Sequence, residues 1–353
     1  MTRREHFGSD NYAGVCPEAL GALLDANASG HHTGYGDDAY TERACDRIRA
    51  LFATDCDVFF VFNGSAANAL SLASICQSYH AIVCSAHAHV EHDECGGPEF
   101  FTSGAKLLVA PGDTPAGRLG KLSPEALEQL ATKRSDLHFP KAAALTLTQA
   151  TELGTVYAPD ELRAICAVAR RHALKVHMDG ARFANAVAHL GCEPADITWR
   201  AGIDVLSFGG TKNGLAVGDA VVFFERSLSR DFEYRLKQAG QLASKMRFIA
   251  APWIGLVESG AWLANARHAN AMAERLHGAI RTLPGVRVMH PPEANGVFAY
   301  CPKPVIDAMH AAGWKFYEFL PGGGCRFMCA WDTTAEAVDA FAADLARCCS
   351  ASG

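Results

Sequence analysis

Short apolar runs recur along the first two thirds of the chain and alternate with stretches of helical periodicity. These runs are rich in Val, Ile, Leu and Phe, and most lack the alternating polar positions of a half-exposed strand, so they indicate strands covered on both faces. They are DVFFVF (57–62), AIVCS (81–85), KLLVA (106–110), AAALTLT (142–148), KVHMD (175–179), VLSF (205–208) and AVVFF (220–224). The stretches between them are long enough for crossover helices. The pattern predicts a large α/β domain with a mostly parallel sheet.

The pattern changes after about residue 250. One long helical region, 253–280, precedes short strands and helices such as VRVMH, GVFAY, KFYEF and CRFMCAW, and a final helix begins near Thr334. Such an order is typical of a smaller α+β domain. We therefore expect an N-terminal arm and a large domain in residues 1–252, and a long connecting helix with a small C-terminal α+β domain in residues 253–353.

Composition and charge restrict the partners of this chain. It has 353 residues, 49% of them hydrophobic, and a formal net charge of −6 without a Lys/Arg-rich block, which argues against nucleic acid or an anionic membrane. No apolar segment of signal-peptide type follows MTRREHFGSD, and no run is long enough to span a membrane. The thirteen cysteines are scattered, as in reduced intracellular proteins. We expect a cytoplasmic protein that acts on a small molecule.

One lysine lies in an unusual setting. In SFGGTKNG (207–214), Lys212 occupies a glycine-rich loop between two apolar strands. The glycines either form a tight turn or leave room for a bound group. A desolvated lysine amine beside a cationic group can form an imine with an aldehyde, so Lys212 is a candidate nucleophile.

Two other predicted strands end in polar groups. FNGSAANAL (62–70) passes from a strand into a helix at Gly64 and Ser65, where free N–H groups and a hydroxyl could bind phosphate; an ordinary helix cap has the same pattern. Asp179 ends the strand of VHMDGARFANA (176–186) and must be paired if it is buried, either with Arg182 or with a protonated ring nitrogen. Doubly wound sheets bind ligands at the carboxyl ends of their strands.

Together these groups match the needs of one cofactor. Pyridoxal 5′-phosphate requires an amine for its aldehyde, a carboxylate for its pyridinium nitrogen and donors for its phosphate. Lys212, Asp179 and the pair Gly64 and Ser65 supply these in three strand-end motifs. The sequence therefore predicts a pyridoxal-phosphate site.

The wider sequence resembles the fold-type I pyridoxal-phosphate enzymes and, within them, the low-specificity L-threonine aldolases. The resemblance covers nearly the whole chain and rests on several motifs: SDN (9–11), GYGDD (34–38), NGSAAN (63–68), AHVEHDECGGPEFF (88–101), TQATELGTVY (148–157), HMDGARFANA (177–186), SFGGTKNG (207–214), QAGQLASKMRF (238–248), EANGVF (293–298) and RFMCAWD (326–332). It implies cleavage of the Cα–Cβ bond of L-threonine, L-allo-threonine and related β-hydroxy-α-amino acids to glycine and an aldehyde. A β-eliminating lyase or an amino-acid racemase is the alternative on the same fold.

The resemblance also implies roles for individual residues. Around the cofactor, Lys212 corresponds to the Schiff-base lysine and Asp179 to the partner of the pyridinium nitrogen. Gly64 and Ser65 correspond to the phosphate binders, and His89 corresponds to an imidazole stacked on the ring. Those around the substrate carboxylate are Arg326, with Ser9 and Arg182 near it. Two residues are expected to reach a neighbouring subunit in a dimer of dimers with shared active sites: Arg247, towards the phosphate, and Tyr35, across the interface.

The base that takes the substrate hydroxyl proton is left open by the sequence. Some family members have a histidine where this chain has Glu152, and a glutamate does not automatically inherit the role of an imidazole. His138, in DLHFP (136–140), is another candidate, although a lone histidine at a strand entry is more often structural. For His89, stacking on the cofactor ring is favoured over a role as the base.

Two other kinds of site find less support in the sequence. A metal site could draw on His87, His89, His92, Asp93 and Glu94, but nothing else in the sequence completes a ligand set, so no metal is predicted. A nicotinamide-dependent oxidoreductase would need G-x-G-x-x-G after an early strand, and FNGSAAN does not fit that pattern.

Overall fold

A computed structural model describes residues 6–351, and within them the larger of two sheets has seven strands. The strands coincide with the seven predicted apolar runs. They are β1 (Asp57–Val61), β2 (His80–Cys84), β3 (Lys106–Val109), β4 (Lys141–Thr148), β5 (Lys175–Gly180), β6 (Val205–Phe208) and β7 (Asp219–Phe223). Most of their residues are buried, because helices cover both faces of the sheet.

The strand order is β1-β7-β6-β5-β4-β2-β3. Strands β3, β2, β4, β5 and β6 are parallel to one another, whereas β7 runs antiparallel to both β6 and β1. The prediction of a mostly parallel sheet is confirmed. Because the parallel strands point the same way, the residues that follow β4, β5 and β6 lie at one edge of the sheet.

The helices of the described residues lie before, between and after these strands. They are α1 (Pro17–Ala28), α2 (Ala39–Phe52), α3 (Gly64–Ile75), α4 (His89–His92), α5 (Gly97–Phe101), α6 (Pro124–Ala131), α7 (Pro159–Arg171), α8 (Phe183–Leu190), α9 (Phe232–Gln238), α10 (Arg247–Glu258), α11 (Ala261–Ile280), α12 (Lys303–Ala311) and α13 (Ala335–Ala351). The predicted cap of α6 is present, since the Ser123 hydroxyl accepts from Ala126 N–H and Pro124 is the first helical residue. Among residues 6–351, no helix is long and apolar enough to cross a membrane.

The C-terminal part has its own antiparallel sheet. The four strands are β8 (Arg287–Val288), β9 (Gly296–Tyr300), β10 (Tyr317–Leu320) and β11 (Gly324–Met328), in the order β10-β11-β9-β8. Helices α11, α12 and α13 pack with this sheet around a separate apolar cluster that includes Phe327 and Phe341. The smaller α+β unit predicted from the sequence is therefore present.

The expectation of a single long connecting helix is wrong. The connection consists of two helices, α10 and α11, separated at Ser259 and Gly260, where Gly260 has φ +78°. Left-handed backbone of this kind ends a helix, and glycine adopts it without a Cβ penalty. A division after residue 252 would cut through α10, whose Trp253 and Leu256 belong to the large core. The domain division itself stays a prediction.

The N-terminal segment connects the two units. Phe7 packs in the small core against Phe341, with ring centroids 4.7 Å apart, and its carbonyl oxygen accepts from Met328 N–H at 2.8 Å. Three residues later, Asp10 pairs with Arg182 at the end of β5. The arm assigned to the large domain from the sequence therefore also completes the small one.

The contact between α1 and α10 yields a stability prediction. A Cβ atom on Gly255 would lie 2.1 Å from the carbonyl oxygen of Glu18, whereas a Cβ on Gly278 of α11 would have nothing within 4 Å. We expect Gly255→Ala to lower the free energy of unfolding by about 1–3 kcal/mol, because the helices must move apart. Gly278→Ala, the matched control, should raise it by about 0.4–1 kcal/mol. Urea denaturation of both variants measures this, and equal midpoints would contradict the close packing of α1 against α10 at Gly255.

Candidate active site

A cavity of about 220 Å³ lies at the carboxyl edge of the large sheet. Nine of its eleven lining residues are polar, and they come from the N-terminal segment, α3, α4 and the segments around β5, β6 and β7. The lining residues are Asn11, Asn63, Gly64, Ser65, Asn68, His89, Asp179, Ala181, Thr211, Lys212 and Asp219. The structure thus brings the predicted amine, carboxylate and helix N-terminus to one place.

Lys212 lies in a 3₁₀ turn, Thr211–Asn213, between β6 and β7. The turn is held by Asp219, whose Oδ1 accepts from the N–H groups of Gly210 at 2.7 Å and Thr211 at 3.1 Å. Among the described residues, no carboxylate forms an ion pair with Lys212 within 4 Å. The backbone is therefore fixed while the amine is available for reaction.

The glycines before Lys212 permit close packing. A Cβ on Gly209 would lie 2.5 Å from the carbonyl oxygen of Ala181, and one on Gly210 would lie 2.5 Å from the ring of Trp253. Since real Cβ atoms do not approach so closely, larger residues would displace the loop from the end of β5. The glycines let the lysine loop contact the segment that carries Asp179.

The N-terminus of α3 faces the same cavity. Asn63 caps the helix, with its Oδ1 accepting from Ala66 N–H at 2.9 Å. The first N–H groups of a helix have no intrahelical acceptor, so those of Gly64 and Ser65 can bind an anion, aided by the helix dipole. The cap and the proposed anion site therefore coexist, with Asn63 as the capping residue.

Asp179 is buried at the end of β5 and is not paired with Arg182. Its Oδ1 accepts from Ala181 N–H and its Oδ2 from Asn68 Nδ2, both at 3.0 Å. The same Asn68 nitrogen donates to Glu94 Oε1 at 3.0 Å. The carboxylate is thus oriented by neutral donors and can also accept from a ring N–H.

Arg182 instead forms a buried two-point ion pair with Asp10. Its Nε and Nη2 lie 2.7 and 3.0 Å from the two carboxylate oxygens. Burial by itself would raise the pKa of Asp10, but the charges of Arg182 and Lys212, with hydrogen bonds from Arg182 and Asn295, together outweigh burial and lower that pKa. Ser9, just before, accepts from Asn11 N–H at 3.2 Å. Neither Ser9 nor Arg182 lines the cavity, and Arg182 instead lines a small separate pocket together with Glu152 and Arg326.

His89, Glu152 and Arg326 form a connected group beside the cavity. Glu152 Oε1 lies 3.3 Å from His89 Nδ1, slightly outside good hydrogen-bond geometry, and Glu152 Oε2 lies 3.9 Å from Arg326 Nη1. Burial opposes the charge of Glu152, but His89, Arg182 and Lys212 together lower its pKa to about 2. Burial likewise opposes the charge of His89, but Glu152 and Asp179 raise its pKa.

Three other predicted residues lie outside both this cavity and the small pocket lined by Glu152, Arg182 and Arg326 within their own chain. His138 is exposed, and only its backbone N–H is bonded, to Asp136 Oδ1 at 3.1 Å. Tyr35 is 54% exposed and lines a separate cavity with Met246. Arg247 begins α10 with its guanidinium 4.4 Å from the ring centroid of Phe248. Their predicted roles stay predictions.

The residues weighed as metal ligands are mostly engaged elsewhere. His92 Nε2 lies 2.6 Å from the Ala86 carbonyl oxygen, and Glu94 is bonded to Asn68. Among the described residues, His89, Asp93 and Glu152 offer ligand atoms within 4.8 Å of one another. Arg326 beside Glu152 disfavours a cation there, so the prediction of no metal is kept as a prediction.

Sequence reasoning missed several lining residues. Asn68 lies one helical turn after Gly64 and faces the same side of α3, a spacing that could have signalled it. Asp219 was read only as the first residue of a strand, although a carboxylate before an apolar run next to a glycine-rich loop suggests a loop anchor. Glu94 does not line the cavity but accepts from Asn68, and the sequence offers it only as a metal ligand. Nothing in the sequence places Asn11 in the cavity.

Comparison with known proteins identifies the family. The family model described as beta-eliminating lyase matches residues 6–303. The chain belongs to this family. Its curated relatives include the low specificity L-threonine aldolases of a Pseudomonas species and of Pseudomonas aeruginosa, each 57% identical over 341 residues, 97% of this chain and 97% of the relative.

Solved structures agree with the assignment to the beta-eliminating lyase family. A threonine aldolase of Leishmania major matches with a TM-score of 0.89 and 26% identity over 97% of this chain and 99% of the other. Serine palmitoyltransferase of Sphingomonas wittichii shares the fold, with a TM-score of 0.74 and 16% identity over 99% of this chain and 88% of the other. The prediction of a fold-type I pyridoxal-phosphate lyase is confirmed.

The cavity itself fits pyridoxal phosphate. Four buried polar atoms in or beside it lack a hydrogen-bond partner within residues 6–351, namely Asn68 Oδ1, His89 Nδ1, Glu94 Oε2 and Arg326 Nε. Buried polar atoms without partners are costly, which suits a site completed by a polar ligand.

Proposed function

We propose that this protein is a pyridoxal-phosphate-dependent aldolase. It cleaves the Cα–Cβ bond of L-threonine, L-allo-threonine and related L-β-hydroxy-α-amino acids such as phenylserine, and produces glycine and an aldehyde. The observation that carries the proposal is the convergence of Lys212, Asp179 and the N-terminus of α3 on one cavity, in a chain that is 57% identical to named L-threonine aldolases.

Four groups of this chain would hold the cofactor. Lys212 Nζ would bond its aldehyde carbon, Asp179 would accept from its ring nitrogen, the first turn of α3 would bind its phosphate, and His89 would face its ring. When bound, the cofactor supplies an electron sink for the pair released by the broken Cα–Cβ bond. The protein supplies orientation, charge and proton transfer.

Arg326 is placed to bind the substrate carboxylate. Its guanidinium lies 4.5 Å from the ring centroid of Phe319 and 5.6 Å from that of Tyr317, which restricts its rotamers. A fixed guanidinium can bind a carboxylate through two parallel hydrogen bonds. Holding the carboxylate determines which bond to Cα stands perpendicular to the cofactor ring, and hence which bond breaks.

His89 and Glu152 together are suited to the hydroxyl proton. Accepting that proton makes the imidazole cationic, and the buried Glu152 carboxylate 3.3 Å away stabilises the cation. Burial opposes the charge on His89, but the contact with Glu152 contributes to raising the pKa of His89. The glutamate that replaces a family histidine would thus act through His89 rather than as the base itself.

Two features support shared active sites in a dimer of dimers. Tyr35 is half exposed, and its N–H donates to the Ser244 carbonyl oxygen at 3.1 Å, which holds its loop near the start of α10. There, Arg247 Nε is buried without a hydrogen-bond partner within residues 6–351. Both residues lie outside their own cavity and are available to a neighbour's.

A cytoplasmic location is also part of the proposal, because most of the cysteines are buried thiols.

The direct test is product analysis with L-threonine, L-allo-threonine and L-phenylserine. We expect equal amounts of glycine and the matching aldehyde. Lys212→Ala should fold, bind the cofactor without a covalent bond, and lose both the characteristic absorbance and nearly all turnover, because the reacting amine is gone. Release of ammonia and a keto acid would indicate β-elimination, interconversion of enantiomers would indicate a racemase, and an active Lys212→Ala variant would disprove the mechanism.

The roles of His89 separate in two substitutions. If His89 only stacks, His89→Phe should retain much of the activity that His89→Ala loses. Because Glu152 supports an imidazolium, we expect both variants to lose about 10²–10⁴-fold in kcat. The measurement is kcat with L-threonine at full cofactor occupancy, with Glu152→Gln for comparison. A Phe variant close to wild type would restrict His89 to stacking.

Shared sites are tested by mixing inactive subunits. Lys212→Ala and Arg247→Ala oligomers should each be inactive or weak, and their mixture should recover up to about a quarter of wild-type activity, because half of randomly paired dimers are mixed and each has one intact site of two. Subunit exchange is verified by native mass spectrometry. Complete exchange without recovery would place Arg247 in its own subunit's site or outside any site.

A further inference from the structure

Glu94 is a buried carboxyl group behind the candidate cofactor site that the proposed mechanism does not use. It follows α4 at a sharp turn, where Cys95 and Gly96 have φ of +50° and +72°. Its side chain is 1% exposed. Its Oε1 accepts from Asn68 Nδ2, and its Oε2 has no hydrogen-bond partner within residues 6–351.

The residues around Glu94 do not balance the negative charge that its carboxylate would carry when ionised. The nearest cationic group is His89, whose Nε2 lies 4.0 Å from Glu94 Oε1. A buried carboxylate with one neutral donor is costly, whereas a neutral carboxylic acid is tolerated. Burial, and after it the negative charge of Asp179, raise the pKa of Glu94 to about 7. Its charge therefore changes close to neutral pH.

Asn68 couples this group to the site. One amide nitrogen donates to Glu94 Oε1 and to Asp179 Oδ2, each at 3.0 Å. The bridge fixes the two acids relative to each other. Any change in the charge of Glu94 is consequently felt at Asp179 through a short, buried connection.

We propose that Glu94 is a positioning residue that acts through Asn68 and Asp179, and that its charge adjusts how strongly the site holds a protonated cofactor ring. The proposal rests on the proposed function, in which Asp179 is the partner of the ring nitrogen. The groups that face Glu94 are Asp179 from β5, His89 from α4 and Lys212 from the loop after β6.

The sign of the effect follows from the charges. Above neutral pH, ionised Glu94 adds a negative charge behind Asp179 and favours the proton on the ring. Below neutral pH, Glu94 is neutral and contributes no such attraction. By reciprocity, binding of the cationic ring must favour loss of the Glu94 proton.

Glu94→Gln tests the proposal, since it keeps the shape and the Asn68 contact but cannot ionise. Glu91→Gln, an exposed change on the same short helix, is the matched control. The dissociation constant of pyridoxal phosphate for the apoprotein is measured by fluorescence at pH 6 and pH 8. We expect Glu94→Gln to bind about three- to tenfold more weakly than the control at pH 8 and equally at pH 6, the factor expected for a pKa effect of half to one unit.

A second readout uses the bound cofactor's absorbance. The pH at which its visible band changes should fall by about half a unit to one unit in Glu94→Gln and remain unchanged in Glu91→Gln.

A third readout needs no cofactor. Because the folded state binds the Glu94 proton more tightly than the unfolded chain, this group reduces stability as pH rises from 4.5 towards 7. The melting temperature of Glu94→Gln relative to wild type should therefore increase between pH 5 and pH 8.

The possible results test the proposed function and the role of Glu94 separately. Wild-type protein that binds no pyridoxal phosphate would overturn the proposed function. Normal binding with the same pH dependence in Glu94→Gln, Glu91→Gln and wild type would overturn the role of Glu94 alone. If Glu94→Gln does not fold, difference infrared spectroscopy of the wild-type apoprotein decides: a protonated buried carboxyl signal that persists unchanged from pH 6 to pH 8 contradicts the proposal, and its loss across that range supports it.

Discussion

The buried ion pair between Asp10 and Arg182 is the interaction on which the rest of the site depends. Arg182 follows β5, and Asp10 lies in the N-terminal segment that also packs into the small C-terminal unit. Asn295, just before β9, donates to the same Asp10 carboxylate at 3.0 Å. Three parts of the chain that are distant in sequence therefore meet at one charge pair. Because loss of one partner of a buried pair typically costs about 3–5 kcal/mol, the arrangement is strongly specified.

The pair also determines the electrostatics of the reaction side of the cavity. Asp10 holds Arg182 in place, and the charge of Arg182 helps to lower the pKa of Glu152, which in turn stabilises charge on His89. At the end of β5, Asp179 is held by neutral donors, and Asn68 connects it to Glu94. The site thus has an ionised carboxylate beside His89 and Arg326 and a titratable one bonded to Asn68, and burial with different partners separates their pKa values.

Much of the fold was predictable because the sheet is covered on both faces. All seven strands of the large sheet follow from apolar runs, and the site residues at their ends follow from the rule that parallel strands bind ligands at their carboxyl edge. The connection between the units was not predictable in the same way. Helical periodicity runs through Ser259 and Gly260, and only the left-handed backbone at Gly260 separates α10 from α11.

By itself, the sequence determined which reactive groups the site has, because each depends on local pattern and residue type. These groups are a lysine in a glycine-rich loop, an aspartate after a strand and a helix N-terminus suited to phosphate. Tertiary structure decided the pairings. Arg182 lies three residues from Asp179 yet bonds to Asp10, and Glu94 is coupled to Asp179 through Asn68. Such contacts join residues far apart in the chain, and the charge state of each acid depends on burial and partners that only the packed molecule defines.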